Sequence, residues 1–177
     1  TIQRHCSSGL NSIAIAANHI KSDGVDIAVA GGVESISMPN PGMGGSSNMD
    51  SALSDMYPAV YMAMIETADI VAERYNVSRD YQDEYSFESQ MRMARAQEND
   101  LFADEIVPME TKMKLVDRET KEETIVDVTV DRDECNRPQT TLEGLQKLGP
   151  VRGEGNYVTA GNASQLSDGA AAVVMMS

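Results

Sequence analysis

Two short apolar runs, DIAVA at 26–30 and AAAVVMM at 170–176, stand near opposite ends of a 177-residue chain. A run of this length, bounded by glycines, suits a strand buried on both faces. If both strands belong to one core, the long polar stretch between them is an excursion from that core. The chain is then nested, and its architecture is an α/β core interrupted by a second body.

The local pattern supports this division. Residues 1–4 read as the end of a strand. From Ser7 to Lys21 the spacing is helical. Leu10, Ile13, Ala14, Ala17 and Ile20 share one face, Ile15 and Ala16 widen it, and Asn11, Ser12, Asn18 and His19 leave a narrow polar stripe. Such a helix is expected to be mostly buried. It should stop at Ser22-Asp23-Gly24. Strand, helix and strand at this spacing predict a βαβ unit in a sheet covered on both faces. Gly31-Gly32 then closes the strand; GGVES lacks the lysine and the spacing of a phosphate loop, so its glycines serve a tight turn.

PNPGMGGSSNMDS, at 39–51, is a loop and a boundary. A helix is expected over 60–75, and Ser78 can cap a longer one running to about Asn99, with Tyr85, Ser89, Met93 and Ala96 as its stripe. Residues 111–130 alternate as a β-hairpin: Met113 and Leu115 against Lys112 and Lys114, then Val126, Val128 and Val130 against Asp127 and Thr129, around the charged turn DRETKEE. Thr140 to Leu148 is a short helix starting near Thr140 or Thr141. VTAGNASQLSDG, at 158–169, is punctuated by glycines and leads into the last apolar run.

Charge excludes some partners. The formal net charge is −14, which repels nucleic acid and anionic membrane surfaces. No apolar run approaches the roughly 20 residues of a membrane span. Arg137, Lys147 and Arg152 form the one sparse basic stretch, where an anionic small ligand could still be served. No signal-peptide pattern opens the chain, but it begins with Thr1 inside an apparent strand, so a fragment is expected.

Cys6 and Cys135 lie far apart in dissimilar segments, which does not suggest a disulfide framework and favours a reducing compartment. With His5 and His19 they match no familiar zinc spacing. Cys6 precedes the first helix. Unpaired N–H groups and the positive end of the helix dipole favour a thiolate there, and SSG after it leaves room for a substrate. A small buried cysteine is the ordinary alternative. A nucleophile also needs a base. His5 is adjacent but chain neighbours generally point apart, and no convincing base stands in these residues.

QRHCSSGLNSIAIAANHI at 3–20, followed by AGGVESISM at 30–38, resembles the nucleophile segment of the thiolases. ETADIVAERYNVSRDYQDEYSFESQMRMARAQ and LFADEIVPM resemble that family's loop-domain helices and the segment after them. RPQTTLEGLQKLGP and VTAGNASQLSDGAAAVVMMS resemble its later coenzyme A-contacting stretch and return strand. The five occur in the family's order and cover essentially the whole chain.

The resemblance implies a layered αβαβα fold. The chain would hold part of the N-terminal domain (1–38, returning at 158–177) with an inserted α+β loop domain at 39–157. It implies that Cys6 carries the acyl group as a thioester. Ser164 would contact the pantetheine of coenzyme A, with Ala160, Gly161 and Leu166 lining the same tunnel. Met64 would belong to the acyl-binding loop and Arg137 to the adenine end, where a guanidinium can stack on a ring and attract phosphate; a plain surface arginine is the alternative. No metal and no cofactor is implied, coenzyme A being a substrate. The family works as homodimers or homotetramers, in cytoplasm or, in eukaryotes, in mitochondria or peroxisomes.

Two departures matter. The family's activating histidine lies in a GHP motif and its second cysteine in a CxG motif; neither motif occurs here, and Cys135, in DECNRP, does not match that cysteine. These residues alone are therefore expected to be inactive. Ala63 stands where biosynthetic members often carry histidine, which leans toward a degradative enzyme of broader chain length. A catalytically inactive thiolase-like binder of acyl-CoA or lipid is the alternative of a different class. A ketoacyl synthase fits the loop domain and GNAS less well.

Overall fold

In the computed structural model, which describes residues 1–36 and 49–177, the strand at DIAVA does not stop at its glycines. β1 runs from Ile27 to Glu34, through Gly31 and Gly32. Its partner is β4, Gly169–Met176, and the two are antiparallel, in register from Ile27↔Met176 to Glu34↔Gly169. Neither glycine makes a turn, and Gly31 allows a close approach. They face Ala172 and Ala171, and a Cβ built on Gly31 would sit 2.8 Å from the Ala171 carbonyl oxygen. The expected βαβ unit is corrected accordingly. Residues 1–4 carry no strand, and β1 pairs with the far end of the chain. Apolar periodicity fixes which segments are strands but says nothing about which strand meets which.

α1, Ser8–Ser22, packs on β1. Its shielded residues are Ser8, Asn11, Ser12, Ala16, Ala17 and Ile20; Ala17 and Ile20 belong to the expected stripe, but Ile13, Ala14 and Leu10, which is 73% exposed, do not turn inward. Small side chains win this face because they let the helix approach the strand. Ala16 and Ala30 are buried, and the Ser12 hydroxyl reaches the Gly31 carbonyl at 3.3 Å. The helix ends as expected, with Gly24 in the left-handed region at φ 71°. Among the described residues α1 covers one face of the two-stranded sheet. Ile27, Val29, Val174 and Met176 stay exposed, so the strands are not buried on both sides as expected.

By backbone proximity the chain falls into two compact units: Thr1–Ala52 with Gln165–Ser177, and Leu53–Ser164. A short helix, α2 (Ser51–Met56), and a 3-10 turn (Pro58–Tyr61) lead to α3, Met64–Tyr75, which starts later than the expected residue 60. Most of the expected loop at 39–51 lies outside the described residues. α3 closes on Asn76 in the left-handed conformation. α4, Arg79–Glu98, is capped by Ser78, whose hydroxyl accepts the Tyr81 N–H at 3.2 Å. Its inner face is Asp83, Phe87, Gln90 and Ala94 rather than the Tyr85 stripe; Tyr85 is exposed.

The hairpin is as the alternation predicts: β2 (Met109–Val116) and β3 (Glu123–Val130), antiparallel, with Met113 opposite Val126. The Asp117 carboxylate organises its turn, accepting the Glu119 and Thr120 N–H groups at 2.8 and 2.7 Å. α5, Leu142–Gln146, is capped by the Thr141 hydroxyl, which accepts from the Gly144 N–H. Among the described residues no helix is long and apolar enough to cross a membrane.

Candidate functional site

Cys6 lies in a 3-10 turn, His5–Ser7, that feeds directly into α1, and it is exposed. Its approach is tightly wired. The Ser8 hydroxyl accepts the Arg4 N–H at 2.8 Å and donates to the His5 carbonyl at 2.7 Å. The Gln3 side chain accepts the His5 N–H at 2.9 Å. Within these bonds His5 takes φ 50°, a left-handed conformation that costs a non-glycine residue energy and persists only when neighbours enforce it. The cysteine is thus presented at the surface one turn before the helix proper. Among the described residues His5 and Cys6 share no hydrogen bond, in keeping with neighbours that point apart. Cys6 and Cys135 form no disulfide.

In the same unit, Leu166 precedes a staple. The Asp168 carboxylate accepts the Ile36 N–H at 2.6 Å and the Ser35 hydroxyl at 3.1 Å, tying the end of β1 to the start of β4. Leu166 itself is 83% exposed.

The second unit holds Met64, Arg137, Ala160, Gly161 and Ser164. Met64 opens α3 and is exposed. Arg137 is fixed through its backbone: its N–H donates to the Gln90 side chain at 2.8 Å, and Asn136 donates to the same oxygen at 2.9 Å. Of the three basic residues in the sparse stretch, Lys147 pairs with Glu143 at 2.6 Å, and Arg152 with Asp69 at 3.3 Å and Glu66 at 3.5 Å. Among the described residues only Arg137 of the three has no carboxylate partner, so it alone keeps its charge available to an anion.

Segment 157–164 carries Ala160, Gly161 and Ser164, and it rests on two buried carboxylates that the sequence did not single out. Asp69, on α3, accepts the Tyr157 and Val158 N–H groups at 2.8 and 3.0 Å and pairs with Arg152. Burial pushes the Asp69 pKa up, but the two backbone N–H groups and the Arg152 guanidinium outweigh it and hold the pKa below its ordinary value. Asp83, on α4, is fully buried. One of its oxygens accepts Arg79 Nε at 2.8 Å and the other accepts Asn162 Nδ2 at 3.2 Å. Arg79 also donates to the Leu145 and Leu148 carbonyls at the end of α5, both at 2.9 Å.

The loop closes on itself at the fully buried Thr159. The Asn162 side chain accepts the Thr159 N–H at 2.8 Å, and the Thr159 hydroxyl accepts the Gly161 and Asn162 N–H groups. Gly161 is pressed against α5: an added Cβ would lie 2.5 Å from Leu145 Cδ2 and 2.7 Å from Leu148 Cδ1. Ala160 and Ser164 remain exposed. The geometry is that of an exposed small-residue ledge held from beneath by ionic hydrogen bonds. The signal available in the sequence was the i, i+4 pair Arg79–Asp83 in the first turns of α4.

The first unit thus presents an exposed thiol ahead of its first helix, and the second a glycine-bearing ledge tied to buried carboxylates. Comparison with known proteins identifies the family. The model of the thiolase N-terminal domain matches residues 1–177. The 3-ketoacyl-CoA thiolase of Bacillus subtilis is 44% identical over 178 residues, covering 99% of this chain and 44% of that protein. The dimeric peroxisomal thiolase of Saccharomyces cerevisiae superposes with a TM-score of 0.77 at 32% identity, covering 99% of this chain and 42% of that one. Human mitochondrial 3-ketoacyl-CoA thiolase in complex with CoA superposes with a TM-score of 0.70 at 34% identity, covering 97% of this chain and 43% of that one. The chain belongs to the thiolase family and has the thiolase α/β fold of its N-terminal domain. It spans less than half the length of these relatives.

Proposed function

We propose that the protein acts as a thiolase, cleaving 3-ketoacyl-CoA with coenzyme A to acetyl-CoA and a shortened acyl-CoA, or running the Claisen condensation in reverse. The observation that carries this reading is the match of residues 1–177 to the family's N-terminal domain; Cys6 is exposed, and it lies in the stretch whose sequence resembles that family's nucleophile segment. In the cleavage direction the Cys6 thiolate attacks the 3-keto carbon. The bond between that carbon and the adjacent α-carbon then breaks, and its electron pair stays on the α-carbon. Protonation there releases acetyl-CoA and leaves an acyl thioester on Cys6. The thiol of coenzyme A takes the acyl group in the second half and restores the thiolate. A thiolate is both a strong nucleophile and a fair leaving group, as this cycle requires. The activating histidine and the second, proton-moving cysteine belong to motifs absent from these 177 residues.

Ser164, Ala160 and Gly161 form the proposed pantetheine ledge, with Leu166 beside it in sequence. Met64 serves the acyl-binding loop and Arg137 the adenine end. Residues 1–38 and 158–177 are assigned to the layered αβαβα core and 39–157 to the inserted loop domain. Coenzyme A is a substrate and no further cofactor is required. The family likeness supports a homodimer or homotetramer in a cytoplasmic, mitochondrial or peroxisomal setting, and the net charge of −14 argues against nucleic acid as a partner.

The test is coenzyme A-dependent consumption of a 3-ketoacyl-CoA by the full gene product. Wild type and Cys135→Ala should turn over, and Cys6→Ala should not. Turnover by Cys6→Ala overturns the assignment. Binding of acyl-CoA by the wild type without any turnover would favour a non-catalytic acyl-CoA binder.

A further inference from the structure

We propose that Asp83 is a positioning residue for coenzyme A: through Arg79 and Asn162 it locks the 157–164 segment in its binding shape, an inference that rests on the thiolase reading above. A fully buried carboxylate is costly unless it is paired and hydrogen-bonded, and Asp83 is paired on both oxygens, with Arg79 at 2.8 Å and Asn162 at 3.2 Å. The cost is recovered as geometry. Arg79 carries the tie to the Leu145 carbonyl of α5 and the Leu148 carbonyl just past it, at 2.9 Å each, and these two leucines are what Gly161 rests upon. Asn162 carries it into the loop, donating also to the Tyr157 carbonyl and accepting from Thr159. Asp83 thus ties α4 to the ledge through Asn162, and it holds the Arg79 side chain that reaches the end of α5. Asp83 is fully buried, whereas Ala160 and Ser164 are exposed, so it acts through the shape of the loop and not by touching ligand.

Asp83→Asn is nearly isosteric but turns one acceptor into a donor. Arg79 and Asn162 both offer donors at this point, so one contact becomes donor against donor. The double variant Asp83→Asn with Asn162→Asp restores a donor–acceptor match between positions 83 and 162 and keeps an amide oxygen facing Arg79, but gives up the bond from Asn162 to the Tyr157 carbonyl. Hydrogen bonds to charged groups are worth enough for the loss of one to weaken a preorganised site by about ten- to hundred-fold.

The experiment is coenzyme A binding by calorimetry on the full gene product, with amide exchange at 157–164 and a thermal melt for each variant. Asp83→Asn should raise the coenzyme A Kd by about tenfold or more and speed exchange at 157–164. The double variant should recover part of both, which damage from generic misfolding would not do. Arg79→Lys, which keeps the charge but cannot reach Asp83 and both α5 carbonyls together, serves if Asp83→Asn does not fold; it should weaken binding in the same direction. A wild type that binds coenzyme A while Asp83→Asn or Arg79→Lys binds it equally well overturns the inference alone. A wild type that binds no coenzyme A overturns the thiolase reading and this inference with it.

Discussion

Replacing Asp69 with alanine should damage the second unit far more than the same change at Asp117, although each carboxylate accepts two backbone N–H groups. Asp69 is 5% exposed and accepts from Tyr157 and Val158 at 2.8 and 3.0 Å, with Arg152 as its ion partner. Asp117 holds an exposed hairpin turn, where water replaces a lost acceptor at once. An orphaned buried donor costs about 1–3 kcal/mol, and two are created at Asp69. The Arg152 side chain is 35% exposed, so water can enter from that side and the lower half of the range applies. The expected loss is about 2–4 kcal/mol, a large share of the roughly 5–15 kcal/mol that stabilises a typical domain. The assay is chemical denaturation of the full gene product with amide exchange read at Tyr157 and Val158. Asp69→Ala should lower the midpoint and deprotect both amides; Asp69→Asn, which can still accept, should fall between. Equal effects from Asp69→Ala and Asp117→Ala would refute the claim that the buried carboxylate holds the ledge.

Acid should act on the same point. The folded pKa of Asp69 is depressed, so its contribution is complete above the unfolded value of about 3.9 and is lost as pH falls through the lower folded value. Exchange at Tyr157 and Val158 should therefore quicken below about pH 4 in wild type, and this added acid sensitivity should disappear in Asp69→Asn; an unchanged acid profile in that variant would contradict it. Gly161→Ala should cost about 1–3 kcal/mol by overpacking, because the new methyl meets the side chains of Leu145 in α5 and Leu148 just after it, and the melting temperature should drop accordingly. A neutral Gly161→Ala would mean that α5 gives way freely and does not brace the ledge.

The sequence was most legible where a local rule had nothing to compete with. Ser78 and Thr141 cap α4 and α5, Asp23-Gly24 ends α1, and the alternation at 109–130 folds as a hairpin. It was least legible where tertiary partners decide. The glycines after DIAVA looked like a turn, but their place opposite Ala171 and Ala172 makes them the thin point of a strand pair joining distant segments. Apolar spacing named Leu10 and Tyr85 as inward, whereas the packed faces hold Ser12 and Ala16 on α1 and Asp83 and Gln90 on α4. Small or polar residues occupy those faces because close approach and hydrogen bonding, not apolar area, join the elements there. The same fact hid Asp69, Asp83 and Asn162. A polar residue on a helix reads as solvent-facing until its partner, dozens of residues away, is known. The residues proposed for acyl and coenzyme A contact were legible only through the family resemblance, since an exposed Ser164 or Met64 has no distinguishing local pattern.

The most direct test of the account is the intact mass of the full gene product after incubation with acetyl-CoA. Wild type and Cys135→Ala should each gain the mass of one acetyl group, and Cys6→Ala should gain none. Acetylation that persists in Cys6→Ala would contradict the assignment of Cys6 as the acyl carrier.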